Sequence, residues 1–266
     1  MLRRDSFPSY PETCLAFTDR HRAISAQHVP RQNNILAALP QEDYERLLPD
    51  LELVPLPLGR ILHGAGEREK YVYFITAGIV SHFYVTQNGA SAEFALTGKE
   101  GVSGVASLLG GESMPSQVGV VSAGYAYRLR AGLLKNELRH DGPLTHLLLR
   151  YTLALIAQTG QNAVCNRHHS LEQQLCRWIL SSLDRLPSSN LTITQELIAD
   201  MLGVRREGVT EAAGHLQTAG LIHYGRGRIV VLDRPKLEAR VCECYAVVKR
   251  EYDRLLPEQR LAGAAF

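Results

Sequence analysis

TQELIADMLGVRREGVTEAAGHLQTAGLIHYGRGRIVV, residues 194–231, is the stretch on which the reading of the whole chain turns. Thr194 is placed to cap a helix, its hydroxyl accepting a backbone N–H. Glu196 in the first turn suits the positive end of the helix dipole. Leu197, Ile198, Met201 and Leu202 recur at helical spacing and form one apolar face. Ala199 is small enough for a second helix to approach. Gly203 can take the left-handed backbone that ends a helix sharply. A second helix is predicted from about Arg205 to Gln217, with Val209, Ala212, Ala213 and Leu216 inward. Ala219-Gly220 closes it. Leu221–Tyr224 and Arg228–Val231 then read as paired strands around Gly225-Arg226-Gly227. This is a helix-turn-helix followed by a wing, a layout that delivers its second helix to the major groove of a duplex.

The exposed face of that second helix carries base-reading chemistry. Arg205, Arg206, Glu207, Thr210 and Glu211 are the candidate base contacts. Arginine donates twice to guanine O6 and N7, and glutamate accepts from cytosine N4. Thr194, Gln195, Arg226 and Arg228 are the candidate phosphate contacts, which fix position without carrying sequence information.

Composition bounds the alternatives. A chain of 266 residues is natural for two domains, and 45% hydrophobic content supplies a packed core. The net charge of +2 is too mild for a general nucleic-acid coat and adequate for a protein that concentrates charge on one face. The N-terminus, MLRRDSFPSYPET, has no apolar core after its arginines, and no apolar run approaches a membrane span. A cytoplasmic protein is expected, with no membrane partner. Cys14, Cys165, Cys176, Cys242 and Cys244 form no disulfide framework. Cys242 and Cys244 resemble a metal pair, but positions i and i+2 of a helix face different ways, so no metal is expected there. His168-His169 has no ligand spacing either.

Upstream, residues 1–32 read as a polar arm. NNILAALPQEDYERLLPDL (33–51) gives two short helices parted at Pro40. From Leu51 to Arg130 the pattern changes to short strands: LELVPLPL, RILHGAGE, YVYFITAG, IVSHFYVTQNG, ASAEFALTG and VGVVSAGYAYRLR. Asn88-Gly89 is a hairpin signal. A jelly-roll-type β-barrel over 33–141 is predicted. GKEGVSGVASLLGGESMPSQ (98–117) reads as a loop with one helical turn. Residues 142–165 read as a long helix with Leu144, Leu148, Tyr151, Leu155, Gln158 and Asn162 on one heptad-like seam. Such a seam packs on the chain's own barrel or forms a two-stranded coiled coil; the homodimer interface is favoured, because a helix-turn-helix protein gains a second half-site from it. Residues 166–266 complete the DNA-binding domain: a helix over 169–186, the linker PSSN (187–190), the winged motif and a last amphipathic helix, LEARVCECYAVVKREYDRLL (237–256). The fold class is therefore α+β.

A strand-rich roll, a seam helix and a C-terminal winged helix-turn-helix, in that order, resemble the CRP/FNR family of bacterial transcription regulators over about residues 33–245. GVRREGVT (203–210) and LIHYGRGRIVVLD (221–233) carry the likeness most specifically, supported by YVYFITAGIVS (71–81) and GKEGVSGVASLLGG (98–111). The resemblance implies a cyclic-nucleotide-binding-type sensor roll, a dimerisation helix, a palindromic DNA site and RNA polymerase as a partner. Family base contacts match Arg206, Glu207 and Glu211. The last departs from the arginine usual in cyclic-AMP-responsive members, so a different half-site is implied. The family's nucleotide-binding glutamate falls near Gly104, and its Arg-Ser pair near Pro115-Ser116. No arginine lies between Glu100 and Tyr127 to meet a cyclic phosphate. Gly104, Pro115, Ser116, Gln158 and Thr159 are the candidate effector pocket, and tight cyclic AMP binding is not expected. With Cys14 as the sole N-terminal cysteine, an iron–sulfur cluster of the family's kind is not expected. No cofactor is assigned. His63 and His82 are the histidines available to a haem, although an isolated strand histidine is usually structural.

Two other functions compete. A metal-dependent cupin-like enzyme needs histidines and a carboxylate converging on one ion. The sequence shows no His-x-His pair, nucleophile elbow, Walker loop or dinucleotide fingerprint, so no enzyme is expected. A cyclic-nucleotide-binding subunit acting by protein contact would need the missing arginine.

Overall fold

The computed structural model describes residues 28–256. Most of the expected polar arm, Cys14 included, lies outside the described residues. The described residues open on a 3-10 turn at Pro30–Gln32, followed by α1 (Asn34–Ala37) and α2 (Gln41–Leu47). Asn33 caps α1, its carboxamide oxygen accepting from the Ile35 and Leu36 amides, while its NH2 reaches the carbonyls of Ile75 and Gly101 at 2.9 and 2.8 Å. One buried asparagine thus ties the entry helix to the sheet.

The sensor region is built from β1 (Glu52–Leu56), β2 (Ile61–His63), β3 (Tyr71–Val85), β4 (Ser91–Thr97), β5 (Val102–Ser103), a short α3 (Val105–Leu108) and β6 (Gln117–Arg130). The pairing is antiparallel throughout, in the order β1-β6-β3-β4, with β2 on β6 and β5 on β3. The sheet is jelly-roll-like, as expected, and stays open at β1 and β4 rather than closing into a full barrel. The break expected after YVYFITAG is also absent. Tyr71–Val85 is one strand whose register against β6 slips around Ala77 and Gly78. Gly78 has φ +86°, and a Cβ on it would lie 2.5 Å from the Ser122 carbonyl oxygen. Such a slip bends the sheet without ending the strand. The Asn88-Gly89 hairpin forms as expected, with Thr86 N–H donating to the Ala90 carbonyl at 2.8 Å.

Helix α4 (Ala131–Leu138) leads into α5 (Pro143–His168), which starts with a proline in its first turn. Helix α6 (Leu171–Leu183) starts at Ser170, whose hydroxyl and Gln173 form a capping box. This is shorter than the helix expected over 169–186. Next come β7 (Asn190–Thr192), α7 (Gln195–Leu202), α8 (Arg206–Thr218), β8 (Ile222–Gly225) and β9 (Arg228–Val231). Asn190, expected in the linker, is the first residue of β7, which pairs with β9 to make the wing a three-stranded sheet. The single helix expected over 237–256 is two: α9 (Arg234–Arg240) and α10 (Glu243–Leu255), parted by extended backbone at Val241 and Cys242.

Core packing crosses the expected domain boundaries. Tyr252, Leu255 and Leu256 pack with Ile35, Leu36, Val72 and Tyr151. Helix α10 therefore returns to the sensor side, where Tyr252 and the buried Gln158 share a 2.7 Å hydrogen bond. Trp178 and Ile179 of α6 join Phe83 and Leu96 of the sheet to Leu197, Ile198 and Val209 of the helix-turn-helix. The Ser91 hydroxyl donates to the Asp200 carbonyl at 3.0 Å, seating α7 on β4. Arg185, buried, is held by Glu100 at 2.6 Å, which keeps its guanidinium charged against the cost of burial.

The expected dimer seam faces inward. Leu144, Leu148, Tyr151, Leu155, Gln158 and Asn162 are all buried in this chain's own interior. Gln158 pairs with the Leu96 backbone, and Asn162 donates to the Phe94 carbonyl at 3.0 Å. Their polarity serves β4 and sets no intermolecular register. The face left open carries a second stripe, displaced by one or two residues from the first: Leu149, Leu153, Ile156, Gly160 and Ala163 are exposed, with Val164 beside them. A 26-residue helix has room for two such stripes, and periodicity alone does not say which of them faces outward.

Candidate nucleic-acid interface and sensor cavity

The helix-turn-helix forms because each local signal agrees with its neighbour. The Thr194 hydroxyl accepts from the Leu197 amide at 3.2 Å. Gly203 ends α7 at φ +67°, and the Val204 amide returns to the Ala199 carbonyl at 3.0 Å. Val209, Ala212, Ala213 and Leu216 are buried beneath α8. The opposite side of α8 presents Arg205, Arg206, Glu207, Thr210 and Glu211, all exposed.

Those charges are unspent. Among the described residues, none of Arg205, Arg206, Glu207, Glu211, Arg226 and Arg228 belongs to an ion pair. Some arginines elsewhere are engaged: Arg128 with Glu52, Arg234 with Asp184 and Glu238, Arg240 with Glu172. A ligand meeting α8 therefore displaces water and breaks no internal salt bridge. The Thr210 hydroxyl donates to Gln195 Oε1 at 2.9 Å or to the Arg206 carbonyl at 3.0 Å. The first option occupies the amide oxygen of Gln195 and leaves its NH2 for a partner.

The wing turn is tight. Arg226 and Gly227 both have positive φ, +51° and +71°. That pairing twists a hairpin in the same sense as its strands, and it carries the Arg226 side chain to the tip. The Tyr224 amide donates to Gln217 Oε1 at 2.8 Å, which fixes the wing to the end of α8. Thr194, Arg226 and Arg228 are exposed and Gln195 half-buried, all close to the N-terminal part of α8 or to the wing tip.

The sensor region contains a cavity of about 490 Å³ between the sheet and α5. Gly104, Ser116 and Thr159 line it; Pro115 and Gln158 do not, since Gln158 turns toward Tyr252 and Leu96. The residues that give the cavity its character are absent from the sequence-based pocket. His63, Glu69, His82 and Phe94 come from the sheet and the loops beside it, and Leu155 and Ile156 come from α5. No local signal joins positions so far apart in the chain. Burial pushes His63 down to about 4 and His82 down to about 3, so both rings are neutral near pH 7. His82 Nε2 lies 3.0 Å from the Thr97 hydroxyl, whereas His63 Nε2 has no hydrogen-bond partner among the described residues. Burial pushes the Glu69 carboxyl up, partly offset by the Ser107 amide at 3.1 Å. The described lining holds no lysine or arginine.

The structure also overturns the reasoning that kept the cysteines apart. Cys242 is the N-cap of α10 and has extended backbone (φ −72°, ψ 163°), so helical geometry does not separate it from Cys244. Cys165, His169, Cys242 and Cys244 converge on one point.

Comparison with known proteins agrees with this geometry. Residues 173–240 match the family model of the Crp-like helix-turn-helix domain. The chain carries a Crp-like helix-turn-helix domain on the fold of CRP/FNR transcriptional regulators. Similar solved structures include a crp/fnr-family regulator from Eubacterium rectale (TM-score 0.63, 16% identity, 79% of this chain and 98% of that one). FixK2 from Bradyrhizobium japonicum superposes with a TM-score of 0.63 at 18% identity, over 72% of this chain and 98% of its own. TTHB099, a CRP-family transcriptional regulator from Thermus thermophilus, gives 0.59 at 18%, over 70% and 95%. No curated protein sequence matches the chain. No described helix is long and apolar enough to cross a membrane.

Proposed function

We propose that this protein is a sequence-specific, double-stranded-DNA-binding transcription regulator acting as a homodimer in the cytoplasm, and not an enzyme. The observation that carries the reading is the outward face of α8, where Arg206 and Glu207 stand exposed and unpaired at the positive end of a helix locked from below. Arg205, Thr210 and Glu211 extend the same base-reading face. Thr194, Gln195, Arg226 and Arg228 flank it as phosphate contacts. RNA polymerase is the expected protein partner.

The dimer is assigned to the outer stripe of α5, Leu149, Leu153, Ile156, Gly160 and Ala163. Their spacing of 4-3-4-3 is that of a two-stranded coiled coil, and Leu149 and Ile156 are 57% and 61% exposed. A second copy seated there brings two α8 helices to one duplex. The expected site is a palindrome with half-sites about one helical turn, or roughly 34–36 Å, apart.

The cavity is the effector site in this reading, with Gly104, Ser116 and Thr159 in its wall. Its apolar surface, neutral imidazoles and lack of a cationic side chain suit an uncharged ligand better than a cyclic phosphate. DNA binding without added effector is the expected ground state.

Selection of bound fragments from genomic DNA with the purified full chain tests the proposal. An enriched palindrome of the stated spacing, obtained with no added small molecule, is expected. Enrichment of no sequence above background would overturn the regulator reading, and enrichment only after addition of cell-extract metabolites would overturn the effector-free ground state.

A further inference from the structure

The joint between the sensor region and the DNA-reading region contains three cysteines and a histidine that nothing in the DNA-binding reading uses. Cys165 lies in the last turn of α5 and His169 is its C-cap. Cys242 and Cys244 open α10. Their ligand atoms all lie within 4.8 Å of one another. Cys165 Sγ and Cys242 Sγ are 3.6 Å apart, and Cys244 Sγ is 3.4 Å from His169 Nδ1. The three cysteines are at most 3% exposed.

We propose that Cys165, His169, Cys242 and Cys244 form a tetrahedral site for one thiophilic divalent cation of the zinc class, which fixes the joint between α5 and α6. The spacing decides between one ion and a cluster. Zinc bond lengths of about 2.3 Å to sulfur and 2.0–2.1 Å to nitrogen put tetrahedral ligands about 3.8 Å (S to S) and 3.6 Å (S to N) apart. The observed 3.6 and 3.4 Å fit that frame. A multi-iron cluster inserts metal atoms and bridging sulfides between its ligands, and needs a wider opening than 4.8 Å.

The surroundings are those of a metal site and not of packed thiols. His169 presents Nδ1 to the sulfurs, while its Nε2 faces a Glu243 carboxylate oxygen at 3.3 Å. A carboxylate on the far nitrogen fixes the tautomer that leaves the near one free to ligate. Gln161 Nε2 donates to Cys244 Sγ at 3.1 Å, and Arg177 Nε donates to Cys165 Sγ at 3.2 Å. Arg177 is 5% exposed, its Nη1 donates to Asn162 Oδ1 at 2.6 Å, and it has no ion-pair partner among the described residues. The Glu93 carboxyl is within electrostatic reach of Arg177 but makes no ion pair with it, and a buried guanidinium without a close counter-charge is costly. A divalent ion with three thiolates and a neutral imidazole carries one net negative charge and supplies a close one.

The ligands come from both sides of the joint. Cys165 closes the long helix, His169 precedes the Ser170 cap of α6, and the other pair begins the helix that packs back along α5. A bound ion sets the direction in which α6 leaves α5, and α8 packs on α6.

The test uses the untagged full chain. Elemental analysis of the purified protein is expected to give about one zinc per chain. Replacement by cobalt(II) is expected to give the intense visible bands and sulfur charge-transfer absorption of tetrahedral thiolate coordination. Cys242→Ser is expected to lower zinc content at least tenfold, whereas Cys176→Ser, at a buried cysteine outside the cluster, is expected to leave it unchanged. Should Cys242→Ser fail to fold, the cobalt spectrum of the wild-type chain carries the test. Zinc below one tenth per chain together with the weak spectrum of octahedral cobalt would overturn the proposal. So would iron with inorganic sulfide and its broad visible absorption. DNA binding is measured separately, so loss of the metal assignment leaves the reading of α8 standing.

Discussion

The reading helix α8 and the α5–α6 joint differ in how their chemistry is assembled. The local signals that set α8 lie within one helix-turn-helix: Thr194 caps α7, Gly203 turns, Val209 and Leu216 bury, and Arg206 faces out. At the joint the pieces come from residues 161–177 and 242–244, which meet because α10 folds back on α5. Local chemistry exposes itself to be read by a partner. Assembled chemistry is hidden, and what it does depends on the packing that brings it together.

Experiments can break or sharpen that contrast. The largest effect is expected at Trp178, which is 2% exposed and packs between sheet and helix-turn-helix, its indole N–H donating to Glu93 Oε2 at 3.4 Å. Trp178→Ala is expected to destabilise the fold by about 3–5 kcal/mol in urea unfolding, with one cooperative transition. Two separate transitions in the wild-type chain would show that the two regions do not share this core.

The next effect concerns Glu93, whose carboxyl is pushed up to about 7 by burial, partly offset by the Ser81 hydroxyl at 2.6 Å. Between about pH 4.5 and 7 the folded chain holds a proton there that the unfolded chain has released, so this group lowers stability as pH rises. His63 and His82 act in the opposite sense. Depressed to about 4 and about 3, they stay neutral while the unfolded chain takes up protons below about 6.5, so stability rises with pH across that range. Glu93→Gln is expected to gain about 1–3 kcal/mol on wild type between about pH 5 and pH 7.5 in paired urea titrations. An unchanged difference at the two pH values would remove Glu93 from the account.

Leu153→Glu places a charge on the outer stripe of α5, where Leu153 is 49% exposed. Sedimentation equilibrium is expected to show the dimer dissociation constant raised at least tenfold, about 1.4 kcal/mol, with the fold intact. An unchanged dimer would move the interface elsewhere. The smallest effect is local: Thr194→Ala removes one cap and is expected to cost about 1 kcal/mol, read by hydrogen exchange confined to α7 and its neighbours.

The same contrast explains what is legible in the sequence. The winged helix-turn-helix, the Asn88-Gly89 hairpin and the α+β order follow from caps, turns and periodicity. The dimer seam does not, because α5 carries two stripes of the same spacing and periodicity cannot say which one meets the sheet. Leu148 and Leu149 are equally apolar, yet Leu148 packs in the cluster of Ile35, Val72 and Leu129 and is 2% exposed, while Leu149 is 57% exposed. Gln158 and Asn162 have the character of register-setting polar positions but answer the backbone of Leu96 and Phe94. Cys242 and Cys244 would diverge on a continuous helix, but the extended backbone at Cys242 lets both thiols face one point. His63 and His82 share a cavity wall although each is an ordinary strand residue in sequence.

The most direct test of the central claim is a salt-dependent binding titration on a selected site and on a scrambled duplex. Arg206→Ala is expected to lose about 1–3 kcal/mol on the selected site and almost nothing on the scrambled one. Arg226→Ala is expected to weaken both equally and to reduce the salt slope by about 1. Equal losses for both variants on both duplexes, or no loss for either, would contradict the assignment of α8 as the reading helix.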